Sequence, residues 1–111
     1  MRYMLMLCGD ETAGEKADIM AGCAEWAAEM VDRGVLLGAQ GLHPPATANS
    51  VRVRDGEVLR TDGPFAEAKE QIGGYALVQC ADLDEALAVA ASHPWAALGT
   101  IEVRQILDVA P

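Results

Sequence analysis

The side chains best suited to chemistry are Asp62, Glu67, Lys69, Glu102, Arg104 and His43. Asp62 opens the turn Asp62-Gly63-Pro64, where a restricted backbone could hold a carboxylate as a general base. The same placement suits an aspartate that accepts backbone N–H bonds and only fixes the turn. Glu67, Lys69 and Glu70 form a charged cluster beside Phe65 and ahead of Gly73-Gly74. Lys69 could bind a carboxylate or phosphate and Glu67 could serve as a base, or the three could be solvated ion pairs of small energetic weight. Glu102 and Arg104 are two residues apart, so on a strand they share a face. There they could orient a ligand carboxylate, Arg being suited to bidentate recognition, or fix the register of an interface. His43, ahead of Pro44-Pro45, is a further candidate base because imidazole titrates near neutrality. His93 ends a predicted helix, where the dipole favours a protonated ring. Neither histidine has a Cys, Asp or His at ligand spacing, so no metal or haem site is expected, and no cofactor. Phosphate-binding glycine loops, nucleophile elbows and dinucleotide fingerprints are absent from the sequence.

These residues need elements to position them. Tyr3 to Cys8 is an unbroken apolar run that predicts a central strand buried on both faces. Thr12 and Glu15 have capping-box spacing, and Met20, Cys23, Ala24, Ala27, Met30 and Val31 then recur at helical steps, predicting a helix over roughly 15–33 with Gly34 as its stop. Val35 to Leu42 predicts a strand. Ser50 to Arg54 and Glu57 to Arg60, joined by Asp55-Gly56, predict a hairpin. Tyr75 to Cys80 predicts a strand released by Gly73-Gly74, and Asp82 with Glu85 caps a helix over 83–92 that carries Leu83, Ala86, Leu87 and Ala90 on one face. Thr100 to Leu107 closes the chain as a strand with Ile101 and Val103 inward, Glu102 and Arg104 outward. The order is a split βαβ, ferredoxin-like α+β plan with an inserted hairpin: one antiparallel sheet, both helices on one face. Tyr3, Leu5 and Leu7 alternate with Met4, Met6 and Cys8, and helices cover only one of these sets. The other face calls for a second sheet, giving a homodimer that encloses a cavity.

The chain has 111 residues, 51% of them apolar, and 17 acidic against 8 basic side chains leave a net charge of -9. That describes a single packed domain over 1–111 with enough core to fold unstapled. The acidic balance argues against nucleic acid or an anionic membrane as partner. The apolar start is too short for a secretory signal, and no run approaches a membrane span, so a cytoplasmic location is expected. Cys8, Cys23 and Cys80 are widely spaced and odd in number, as buried thiols rather than a disulfide framework would be.

From Asp62 to Tyr75 the chain reads DGPFAEAKEQIGGY, followed by a helix and then Gly99 with Glu102-Val103-Arg104. This resembles the YCII-related family, in the branch named for its Asp-Gly-Pro-Phe motif. The likeness extends through Gly41-Leu42 before a proline and Val51-Arg52 entering the hairpin. It implies a dimeric α+β barrel. The wider group includes a muconolactone-type dehalogenating enzyme, and this branch is often encoded beside extracytoplasmic-function sigma factors. Related short proteins carry a His on the first helix, proposed to pair with an Asp; here no His occurs from Glu15 to Arg33, and Gln105 replaces a usual Pro. The resulting expectation is a lyase- or isomerase-type enzyme, or a binder, acting on a small organic acid in the dimer cavity with Asp62 and Glu67 moving the proton. The alternative is a non-catalytic ligand sensor or protein-interaction partner linked to sigma-factor regulation.

Overall fold

A computed structural model describes residues 1–9, 16–63 and 71–108. The elements run β1 (Arg2–Gly9), α1 (Lys16–Asp32), β2 (Leu36–Gly41), β3 (Asn49–Arg54), β4 (Glu57–Asp62), β5 (Gln71–Gln79), α2 (Leu83–Ala91) and β6 (Thr100–Gln105), with 3-10 turns at Pro45–Thr47 and Pro94–Ala97. Strand order is β2-β5-β1-β6, every neighbouring pair antiparallel, while β3 and β4 form a separate ribbon. This is the ferredoxin-like plan with the hairpin inserted. The split capping box Thr12/Glu15 lies outside the described residues.

Local chemistry accounts for the element ends. At the end of α1, Gly34 (φ 71) lets its own N–H reach Val31 O and that of Val35 reach Met30 O, the paired bonds of a left-handed helix stop. Asp55 and Gly56 both have positive φ (51 and 78), the requirement of a two-residue turn whose twist matches the strands. The carboxylate of Asp82 accepts the Glu85 amide at 2.9 Å and caps α2.

Three expectations shift. β5 begins at Gln71, so Gly73-Gly74 lies inside a strand rather than at a hinge before it. Gly74 pairs with Leu7 on one side and Gly41 on the other, and Gly73 is the extra residue of a bulge between Leu7 and Cys8. Paired ladders thus override the weak strand preference of glycine. The α1 stripe is rotated: Trp26 (5% exposed) and Met30 (0%) face the sheet, whereas Val31 is exposed. On α2 the buried residues are Ala86, Val89 and Ala90, with Leu83 and Leu87 outside.

Both helices pack on the face that carries Tyr3, Leu5, Ala76 and Val78, building one core with Trp26, Met30, Val35, Cys80, Ala86, Val89 and Ala90. The opposite face presents Met4, Met6, Tyr75 and Leu77 with Glu102 and Arg104, which the register pairs with Met6 and Met4. The molecule is only 19 Å along its thinnest axis, the depth of one sheet and one helix layer. No helix among the described residues is long and apolar enough to cross a membrane.

Candidate functional site

A cavity of about 480 Å³ lies between α1 and the helix-side face of the sheet. Its floor is set by small residues, Ala39 and Gly41 of β2 with Gly74 and Ala76 of β5, which the register places side by side next to Leu7 of β1. Its roof is one stripe of α1, Ile19, Cys23, Trp26 and Ala27, spaced by three and four residues so that they share a face. His93 and Trp95, from the turn that follows α2, close one end.

The aromatic wall is fixed in place. The indole N–H of Trp95 donates to Cys8 O at 2.8 Å. The ring occupies a slot between two glycines: a Cβ on Gly9 would fall 2.5 Å from Trp95 Cζ2, and one on Gly99 would fall 2.6 Å from Trp95 Nε1 and from Cys8 O. Trp26 is held as firmly, its N–H donating to Ser92 Oγ at 2.9 Å and toward Val89 O at 3.4 Å. Both indole donors are therefore committed to the protein, and what the rings have left to present is carbon.

His93 completes the aromatic wall. It is 5% exposed, and its ring meets that of Trp26 edge to face at 4.6 Å between centroids. Nδ1 accepts the Trp95 amide at 3.0 Å, which requires an unprotonated Nδ1. Burial pushes the imidazole below its ordinary value of 6.5. The neutral ring therefore carries its proton on Nε2. This corrects the expectation of a protonated His93: the residue caps the start of the Pro94–Ala97 turn, where N–H groups point at it, instead of meeting the carbonyls of a helix end. Burial also pushes the Cys23 thiol up, so it stays protonated at neutral pH.

The sequence-derived candidates among the described residues lie elsewhere. Asp62 is the last residue of β4, exposed and paired with Asn49, so it belongs to the ribbon rather than to a loop aimed at the cavity. The ribbon is tied down just beyond it, Gly63 N donating to Ala48 O at 2.7 Å and Ser50 Oγ to Gly63 O at 2.8 Å. Glu67 and Lys69, with Phe65 and Glu70, lie outside the described residues. Glu102 and Arg104 are exposed side by side on β6, on the open face, as their spacing predicts. His43 is exposed after β2 and borders a shallow depression with Leu42, Pro44, Pro45, Gln71 and Ile72. The structure thus brings Glu102 and Arg104 together and separates them from Asp62 by topology. The cavity it forms within one chain is on the helix side, not on the open face. Trp26, His93, Trp95 and Cys23 are the site residues that sequence reasoning missed; the local signal was His93-Pro94-Trp95, two aromatic rings flanking a helix-stopping proline. Among the described residues, no three His, Cys, Asp or Glu side chains converge as metal ligands.

Comparison with known proteins places this architecture. A family model described as the YCII-related domain matches residues 1–110. The chain is also similar to Uncharacterized protein R00369 of Rhizobium meliloti (strain 1021), 34% identical over an alignment of 114 positions that covers 96% of this chain and 92% of that protein.

Proposed function

The chain belongs to the YCII-related family, and from that premise we propose that it is a small-molecule-binding protein whose ligand occupies the cavity between α1 and the sheet. The observation that carries this reading is an apolar cavity of about 480 Å³ walled by two immobilised indoles, with a buried histidine at its edge. Its volume is in the range of small-molecule sites, which are mostly apolar with a few placed polar groups. Proton abstraction from the ligand is not work for His93. Its Nδ1 lone pair is engaged by an amide and its Nε2 already bears a proton, so it donates rather than accepts. A lyase or isomerase step would take its base from an acidic residue such as Glu67. Two chains paired through the open faces, with Glu102 and Arg104 at the contact, complete the proposed assembly as a homodimer.

The test is a neutral fluorescent probe of apolar cavities, N-phenyl-1-naphthylamine. Wild-type protein should bind one probe per chain with enhanced emission. Ala39→Phe, which places a ring on the cavity floor, should abolish that signal while circular dichroism stays unchanged. A wild-type protein that does not enhance the probe, or a variant that binds it equally well, would retire the cavity as the site.

A further inference from the structure

One ring N–H of the proposed ligand site is unassigned, and it constrains the ligand's chemistry. Of the four ring nitrogens on the aromatic wall, three have a partner within the protein. The Trp95 indole is used by Cys8 O, the Trp26 indole by Ser92 and Val89, and His93 Nδ1 by the Trp95 amide. The fourth is His93 Nε2–H: the side chain is 5% exposed and borders the cavity, and since no fully buried side-chain nitrogen or oxygen among the described residues is without a partner, this N–H meets open space rather than being sealed in the core. An occupant that excludes water from this N–H without supplying an acceptor leaves it unpaired, so an occupant that supplies the acceptor is favoured. No Lys or Arg is among the described residues lining the cavity. An anion there would lose hydration against aromatic carbon and a single neutral donor, inside a chain of net charge -9.

Resting on the cavity reading above, we propose that the ligand is an uncharged carbonyl compound on a flat apolar body, its oxygen accepting the His93 Nε2–H and its ring lying against Trp26 and Trp95. This replaces the small organic acid expected from the charged residues of the sequence. Those charges are on the ribbon, on the open face, or outside the described residues, whereas the described cavity wall has none.

The experiment compares four probes of matched size on the full chain at pH 8: acetophenone, benzamide, benzoate and ethylbenzene, by chemical-shift titration and thermal shift. Acetophenone and benzamide should bind about 2- to 10-fold tighter than ethylbenzene, the span of one net hydrogen bond, and benzoate weakest of all. The His93 ring nitrogen signals should move with the two carbonyl probes and not with ethylbenzene, a readout that needs no mutant. In His93→Phe, ethylbenzene should bind as before while the carbonyl advantage disappears. Benzoate binding as tightly as acetophenone would overturn the ligand class and leave the cavity standing. Carbonyl probes no tighter than ethylbenzene, or binding without movement of the His93 signals, would overturn the role of Nε2–H. Failure of all four to bind at millimolar concentration would overturn the cavity reading and this inference with it.

Discussion

Gly9→Ala should damage this protein far more than a methyl group on a strand end ordinarily would. The added Cβ falls 2.5 Å from Trp95 Cζ2 and 3.3 Å from Cε2, against an ordinary carbon contact of about 3.5–4.0 Å. The two must part by roughly 1 Å. Trp95 cannot yield freely, because its N–H is bonded to Cys8 O at 2.8 Å and Gly99 closes on its other edge. Overpacking of this kind costs about 1–3 kcal/mol, and stretching the indole bond adds about 1 kcal/mol. The expected loss is therefore about 2–4 kcal/mol, which for a domain of this size lowers Tm by about 4 °C per kcal/mol. Urea titrations followed by tryptophan emission give the number. Gly38→Ala is the control, since nothing is within 4 Å of a Cβ there, and its stability should stay within about 0.5 kcal/mol of wild type. If Gly9→Ala is as stable as Gly38→Ala, Trp95 is not wedged as described, and the rigid wall of the cavity loses its basis.

Burial holds His93 neutral to below its ordinary 6.5, so the unfolded chain takes up this proton first as pH falls. Stability from this residue is complete above about pH 6.5 and declines as pH drops through that value toward the lower folded pKa; His93→Phe should flatten the slope of urea-derived stability between pH 7.5 and 5.5, and an unchanged slope would mean that the ring is not shielded. Light scattering at micromolar concentration should give twice 11.7 kDa. Met4→Asp on the open face should shift that mass toward the monomer by burying an unpaired charge, and a wild-type monomer would remove the proposed assembly.

The fold was legible because its signals are local. The Asp55-Gly56 turn, the Asp82 cap and the alternation along Thr100 to Gln105 each act within a few residues, and each is found where the sequence predicts it. The cavity was not legible because its walls meet only in three dimensions. Gly9 and Gly99 are 90 positions apart and read separately as a strand end and a loop, yet together they seat Trp95. The charge state of His93 was misjudged for the same reason. Its neighbours in sequence suggest a helix end, while the ring that shields it, Trp26, comes from the other helix. The acidic and basic residues around Asp62 drew attention because charge is conspicuous in a sequence. An apolar recess built from alanine and glycine is not.

The small residues give the strongest physical reason to expect an occupant. Ala39, Gly41, Gly74 and Ala76 adjoin one another on the helix-side face, while at the other end of the same sheet Tyr3, Leu5 and Val78 fill the space beneath the helices to 2% exposure or less. A chain selected only for packing gains by filling such a recess, since unfilled apolar volume destabilises a core. Gly74 cannot be enlarged, because a Cβ there would be 3.0 Å from Gln40 O, but a Cβ on Gly41 would meet nothing within 4 Å. The open volume coincides with two indoles fixed in orientation and one imidazole N–H that meets open space. Void, rigid aromatic surface and unspent hydrogen bond are each unfavourable or neutral for folding alone, and a single flat ligand bearing one acceptor turns all three into favourable contacts.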